Sequence, residues 1–277
     1  MLKRNLLLVS LLLLLGSFQP KKITWVAIGD SITYLNDHLN ETGNRVTKGY
    51  MSRVVEKMPG ITVTNQGHNG WTAVNIAKQF DKLGVTNADI YTVFLGTNDW
   101  WAGLPLGTWE DYQNNTGNQT VNGSFRIIID KLRTLNATAK IILITPMQRS
   151  DFVYVNNYKN NAWGSYKEKN GQQLEQFADA VVNIGEKEGF PVIDLYHNKQ
   201  LKVAKLVKFK RLKNPANGEY ENYHYPAYTD IPFNPDTDEY PYPPAAIDMT
   251  YDGLHPSDKG NALIAGKLVK AFKKILK

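Results

Sequence analysis

Four short stretches of this chain carry residue types at spacings that acyl transfer uses. Ser31 follows Gly29-Asp30 at the end of the apolar run Ile23–Ile28. A serine on a strand-to-helix turn sits where free backbone N–H groups favour negative charge, which suits a nucleophile that passes through an alkoxide. Far downstream, Asp252-Gly253-Leu254-His255-Pro256 sets a carboxylate three residues before a histidine. In a turn, Asp252 can accept the Nδ1–H of His255 and fix its tautomer, leaving Nε2 free to face a serine. Pro256 turns His255 away from helical geometry, so both residues belong on a loop. Gly67, in the turn-rich run 66–70, offers a backbone N–H where a side chain would obstruct a substrate. Asn98, in Gly96-Thr97-Asn98-Asp99, offers an amide, and both are candidate donors to an oxyanion. Taken singly, each stretch is ordinary turn or helix-start chemistry. A metal centre needs a further strong ligand beside His255, for which His197 and His224 are weak candidates.

These residues need elements to hold them. Ile23–Ile28 reads as a buried strand, followed by a helix over Tyr50–Met58 and a short strand over Ile61–Asn65. A helix from about Thr72, a strand over Asp89–Leu95 and a polar loop over 100–120 come next. Residues 124–135 read as a helix, Lys140–Thr145 as a fourth strand, and 148–164 as irregular. Tyr166–Lys187 reads as a long amphipathic helix, Pro191–Leu195 as a fifth strand, and about Asp258–Lys277 as a terminal helix. Strands alternating with helices at this spacing predict a parallel sheet covered on both faces, with ligands at the strands' carboxyl ends. Ser31, Gly67 and Asn98 all fall just past such an end.

Composition narrows the field. The 277 residues hold no cysteine, which excludes disulfides, thiolate metal sites and a cysteine nucleophile. The formal charge of +6 is mild and does not argue for nucleic acid. Lys3, Arg4 and the apolar run 6–15 predict a signal peptide over residues 1–19, hence export to the periplasm, envelope or exterior with no stable membrane span after cleavage. Residues 20–277 then form one domain with an insertion at about 196–250. Within it, Lys199, Lys202, Lys205 and Lys208 recur every third position, as on a solvated helix face or a patch for an acidic polymer. Residues 219–251 hold seven of the fifteen tyrosines and six of the thirteen prolines, which rules out a regular helix or central strand and predicts a long ordered flap.

Taken together, Gly29-Asp30-Ser31-Ile32-Thr33, Asn65-Gln66-Gly67 with Gly70, Gly96-Thr97-Asn98-Asp99 and Asp252-Gly253-Leu254-His255-Pro256 resemble the four blocks of the SGNH (GDSL) hydrolases, in the family's order. The resemblance implies a three-layer α/β/α sandwich with a flavodoxin-like five-stranded parallel sheet, and no cofactor. It implies Ser31 as nucleophile, His255 as base, Asp252 as its orienting partner, and Ser31 N–H, Gly67 N–H and the Asn98 amide as the oxyanion hole. The Gly-x-Ser-x-Gly elbow of another hydrolase class is absent, since position 33 is threonine. Trp71, Trp100 and Trp101 are candidates to line the substrate site or to serve the core. The mature chain shows no long aliphatic lid, so short acyl groups on an extracellular carbohydrate are the expected substrate. The alternatives are a lysophospholipase or thioesterase with a longer acyl pocket, and a catalytically silent glycan-binding protein.

Overall fold

The structure is a computed structural model that describes residues 22–277. The signal peptide expected over residues 1–19 lies outside the described residues. In β1 (Ile23–Gly29) successive side chains point to opposite faces, as the pleat requires. Trp25 and Ala27 enter one core, Val26 and Ile28 the other. Next come the single turn α1 (Ser31–Tyr34), α2 (Tyr50–Lys57), β2 (Ile61–Gly67), α3 (Ala73–Gln79) and β3 (Ile90–Phe94). The chain continues through α4 (Thr97–Trp101), α5 (Trp109–Gln113), α6 (Val121–Leu135), β4 (Lys140–Ile144) and a hairpin of β5 (Phe152–Tyr154) and β6 (Asn157–Ala162). Last are α7 (Leu174–Glu188), β7 (Val192–Ile193), α8 (Val203–Leu206), the hairpin β8 (Lys210–Lys213)–β9 (Tyr220–Tyr223), and α9 (Asp258–Ile275).

The main sheet has five parallel strands in the order β2-β1-β3-β4-β7. Helices α3, α6 and α7 bury Ile76, Phe125, Ile128, Phe177 and Val181 against one face. Helices α2 and α9 bury Met51, Val54, Ile264, Leu268 and Phe272 against the other. That is the expected three-layer α/β/α arrangement. Among the described residues, no helix is long and apolar enough to cross a membrane. The register matters for function: Gly29 pairs with both Gly67 and Phe94, so β1, β2 and β3 end at one level and release their loops from one rim.

Several expectations give way locally. Strand β2 runs on through Gly67, and β7 keeps only two residues because it is an edge where Pro191 has no N–H to contribute. Helix α7 begins at Leu174 rather than Tyr166, because Asn170 (φ 50°) and Gly171 (φ 71°) adopt left-handed backbone that stops a helix from passing. The loop expected over 100–120 contains α5, and the irregular 148–164 contains the β5–β6 hairpin.

The lysine repeat at 199–208 does not lie on one helix, since α8 spans only 203–206. Nor is the basic run that follows left uncompensated. Lys210 is buried against Asp151 at 2.6 Å, Arg211 meets Glu239 at 3.4 Å and Lys213 meets Asp238 at 3.3 Å. The flap does fold in order: Tyr228, Tyr242, Leu212 and Ala246 form a small core with Val153 of β5.

Candidate active site

The turn after β1 is set by Asp30, which caps α1: its side chain accepts the Ile32 N–H at 3.0 Å and its carbonyl accepts those of Thr33 and Tyr34. Ser31 thereby opens α1 with its own N–H making no bond to the described residues. One turn of helix adds little dipole, so the local positive potential here comes from N–H groups. A side chain at Gly29 would drive its Cβ to 2.1 Å from Thr33 Oγ1, so only glycine lets the chain fold back this tightly.

His255 meets Ser31 from 224 residues away. The serine hydroxyl donates to His255 Nε2 at 2.8 Å, and His255 Nδ1–H donates to Asp252 Oδ2 at 2.6 Å. Asp252 is fully buried, and its other oxygen accepts the N–H groups of Leu254 (3.0 Å) and His255 (2.7 Å). A carboxylate only accepts, so Asp252 fixes the proton on Nδ1 and leaves the Nε2 lone pair for serine. The loop is held by neighbours. Gly253 (φ 90°) lies where a Cβ would come within 2.0 Å of the Asp151 carbonyl, while Gly253 O accepts from Ser150 N–H and Asp252 O from Val153 N–H. Ser257 caps α9 through Gly260 N–H at 3.3 Å, which starts the helix directly behind the histidine.

Of the expected oxyanion donors, Asn98 keeps an amide N–H uncommitted and Gly67 does not. Asn98 stands in α4 and gives one amide N–H to Trp71 O at 3.0 Å, leaving the second for a ligand. The Gly67 N–H is already donated to Asn65 Oδ1 at 2.8 Å. Its lack of a side chain serves packing instead, since a Cβ would fall 2.1 Å from Tyr34 N. The open glycine of that turn is Gly70: it is exposed, has φ 75° with no atom near a built Cβ, and its N–H makes no bond to the described residues.

The three tryptophans separate. Trp100 is fully buried, with its indole N–H on Gln172 O at 2.9 Å, and is a core residue rather than a substrate contact. Trp71 is half-buried and stacks on His68 at 4.6 Å. Trp101 is half-buried on a wall beside His255 that also includes Phe152, Ala162 and Leu254. The Phe152 ring meets the imidazole edge-on at 5.4 Å, and Trp163, 37% exposed, packs edge-on against Trp101 at 4.6 Å.

Composition and motif reading missed Phe152, Trp163 and Arg149. The Arg149 guanidinium lies 5.0 and 4.7 Å from the rings of Trp100 and Trp101 and donates twice to Trp163 O, at 3.1 and 2.7 Å. Burial pulls its pKa down to about 9, against the pull of Asp151 and Asp252, so it stays cationic at neutral pH. The available signal was position: residue 149 follows the carboxyl end of β4, where such sheets place functional groups.

Two buried carboxyls back the rim. Desolvation pushes Asp30 up to about 6, opposed by the Ile32 N–H and by nearby His255. Asp99 accepts the Ala73 N–H at 2.9 and 3.0 Å and is likewise pushed up to about 6, chiefly by burial. Burial lowers the pKa of His68, whose Nε2 has no partner among the described residues.

A hydroxyl, an imidazole and a carboxylate in line, on a parallel α/β sheet and beside unpaired N–H donors, define a serine hydrolase of the acyl-transfer type. The comparisons agree. Residues 27–263 match the model of the GDSL-like lipase/acylhydrolase family, and the chain belongs to that family of serine ester hydrolases. It is 64% identical to the crystal structure of a possible lipase from Chitinophaga pinensis, with a TM-score of 0.90 over 91% of this chain and 98% of that one. A Lactobacillus plantarum protein (19% identity, TM-score 0.60, 92% and 99% covered) and the lipase/acylhydrolase of Enterococcus faecalis (18%, 0.52, 91% and 96%) share the fold. A search of the curated proteins found no match.

Proposed function

We propose that this esterase is exported and removes acetyl or similarly short acyl groups from the hydroxyls of an extracellular carbohydrate. The carrying observation is the unbroken relay Ser31–His255–Asp252, at 2.8 and 2.6 Å. As Ser31 Oγ bonds to the ester carbonyl carbon, its proton passes to His255 Nε2 and the carbonyl oxygen becomes an oxyanion. Ser31 N–H, the free Asn98 amide N–H and the Gly70 N–H receive that charge. The carbon–oxygen bond to the alcohol then breaks, and His255 returns the proton to the departing oxygen. Water, deprotonated by His255, attacks the acyl-enzyme and releases the acid, and Ser31 recovers its proton.

The carbohydrate reading is supported by the wall beside His255, which sets Phe152 and Trp101 beside small aliphatic neighbours and is edged with charge. Lys169 lies 4.6 Å from the Trp101 ring and 4.8 Å from that of Trp163, and Trp163 remains partly open to solvent. Export rests on the basic and apolar pattern of residues 3–15. The second reading is a lipid acylhydrolase, favoured by the name of the Chitinophaga relative. Rates on acetyl and octanoyl aryl esters separate the two, with Ser31→Ala as blank. The proposal expects faster acetyl hydrolysis and activity on acetylated oligosaccharides. A strong octanoyl preference, or undiminished turnover by Ser31→Ala, defeats it.

A further inference from the structure

Behind the aromatic wall lies a second concavity that the ester chemistry does not use. It has a volume of about 480 Å³, within the ~300–1,000 Å³ range of small-molecule sites. One side is the β5–β6 hairpin with Phe152 and Trp163; the other is the insertion, with Lys210, Thr229 and Phe233. Two of these residues join it to the active site: Phe152 packs on the His255 ring and Trp163 on Trp101.

We infer that this cavity is a glycan subsite, holding the neutral sugar units that flank the acylated one. The inference rests on the carbohydrate reading above for the identity of that acylated unit. Its chemistry comes from the lining. Trp163, next to the hairpin, and Phe233, in the insertion, supply flat apolar surface, the kind that the C–H faces of a sugar ring cover.

Between them stand polar groups that suit hydroxyls. Lys210 has three ammonium donors, one of which is held by Asp151 at 2.6 Å. Asp151 Oδ1 accepts from Gly164 N–H at 2.7 Å and from the Tyr166 hydroxyl, which fixes the carboxylate in place. The Lys210 side chain is 2% exposed and that of Asp151 17%, so neither group is a mobile surface charge. A buried ion pair is weak evidence of stability, whereas two fixed charges with spare donors and acceptors bind hydroxyl-rich ligands well.

Charge decides between ligand classes. The lining carries Lys167 and Lys210 against Asp151 and Asp230, a balance that gives no field for a polyanion or a polycation. An acyl chain is also a poor fit, because burying these polar groups under hydrocarbon leaves them unpaired. The Tyr- and Pro-rich insertion thus has a use: it closes one wall of a binding site that the sheet alone lacks.

The test uses the full chain carrying Ser31→Ala, titrated with unacetylated xylohexaose, mannohexaose and chitohexaose and followed by calorimetry and tryptophan fluorescence. Saturable binding of at least one of them in the millimolar range or tighter is expected. Phe233→Ala and Trp163→Ala should each weaken it by roughly tenfold, about 1.4 kcal/mol. Asp230→Ala, on an exposed position, gives a third variant that does not depend on core packing. No binding, binding that survives all three substitutions, or a preference for hexagalacturonate that disappears with salt overturns the inference. Wild-type hydrolysis of aryl acetate is assayed alongside. If it succeeds while no glycan binds, the subsite alone falls; if it fails, the ester reading falls whatever the cavity binds.

Discussion

The sheet rim and the insertion beyond β7 meet at Phe152, yet they are built on different terms. At the rim, Gly29, Gly67 and Phe94 end three strands at one level, and Ser31, Gly70 and Asn98 follow them by only two to four residues. Little freedom remains between strand register and chemistry. In the insertion, Tyr228, Tyr242 and Lys210 find their partners Ser150 and Asp151 59 to 92 residues away in sequence. Parallel strands locate a nucleophile through backbone geometry, while the aromatic flap is located only by side-chain packing. Damage should therefore abolish chemistry at the rim and spare the fold, and do the reverse inside the core.

The largest effect expected is at Ser31. Ser31→Ala should lower kcat on aryl acetate by about a million-fold while the thermal midpoint moves little, as read by single-turnover kinetics and calorimetry. An unchanged rate breaks the comparison at its strongest point.

Trp100 and Trp101 sharpen it, being adjacent in sequence and different in surroundings. Trp100→Ala should cost about 3–5 kcal/mol of stability in denaturant unfolding, because it empties a closed core. Trp101→Ala should cost much less and act on KM for glycan esters. Equal losses of stability at both positions contradict the assignment of Trp101 to the wall.

At Asn98, substitution by Ala should remove on the order of 3 kcal/mol of transition-state stabilisation, a hundredfold or more in kcat with KM little changed. A change confined to KM removes the amide from the oxyanion site.

The smallest effect concerns Asp30 and Asp99. Each has a folded pKa near 6 against an ordinary value of 3.8, so between these pH values the folded state binds more protons than the unfolded one. Stability should therefore fall as pH rises from about 4 to 6, by roughly 1–3 kcal/mol per carboxyl. Asp99→Asn should flatten that part of the stability–pH curve in urea titrations. A curve of unchanged slope shows that Asp99 does not titrate there.

The sequence was legible where chemistry is local. Gly29-Asp30-Ser31 implied a turn because each residue type favours one, and Asp252 reaches His255 within a single loop. It misled where two local rules agree on different answers. Gly67 looks like a donor on a turn, but Asn65 two residues earlier takes its N–H. The run 166–173 has helical composition, yet the left-handed pair Asn170-Gly171 interrupts it.

From residue types and spacing alone came the alternation that demands a covered parallel sheet, the Asp-x-x-His pair, and a serine held at a strand end. These are short-range properties, governed by backbone stereochemistry and by hydrogen bonds within a few residues. Tertiary structure decided the rest: that Trp100 is core and Trp101 wall, that Lys210 is buried against Asp151 instead of facing water, and that the flap lines a concavity behind Phe152. Burial and pairing depend on which distant segments pack together, and no neighbourhood of the chain carries that information by itself.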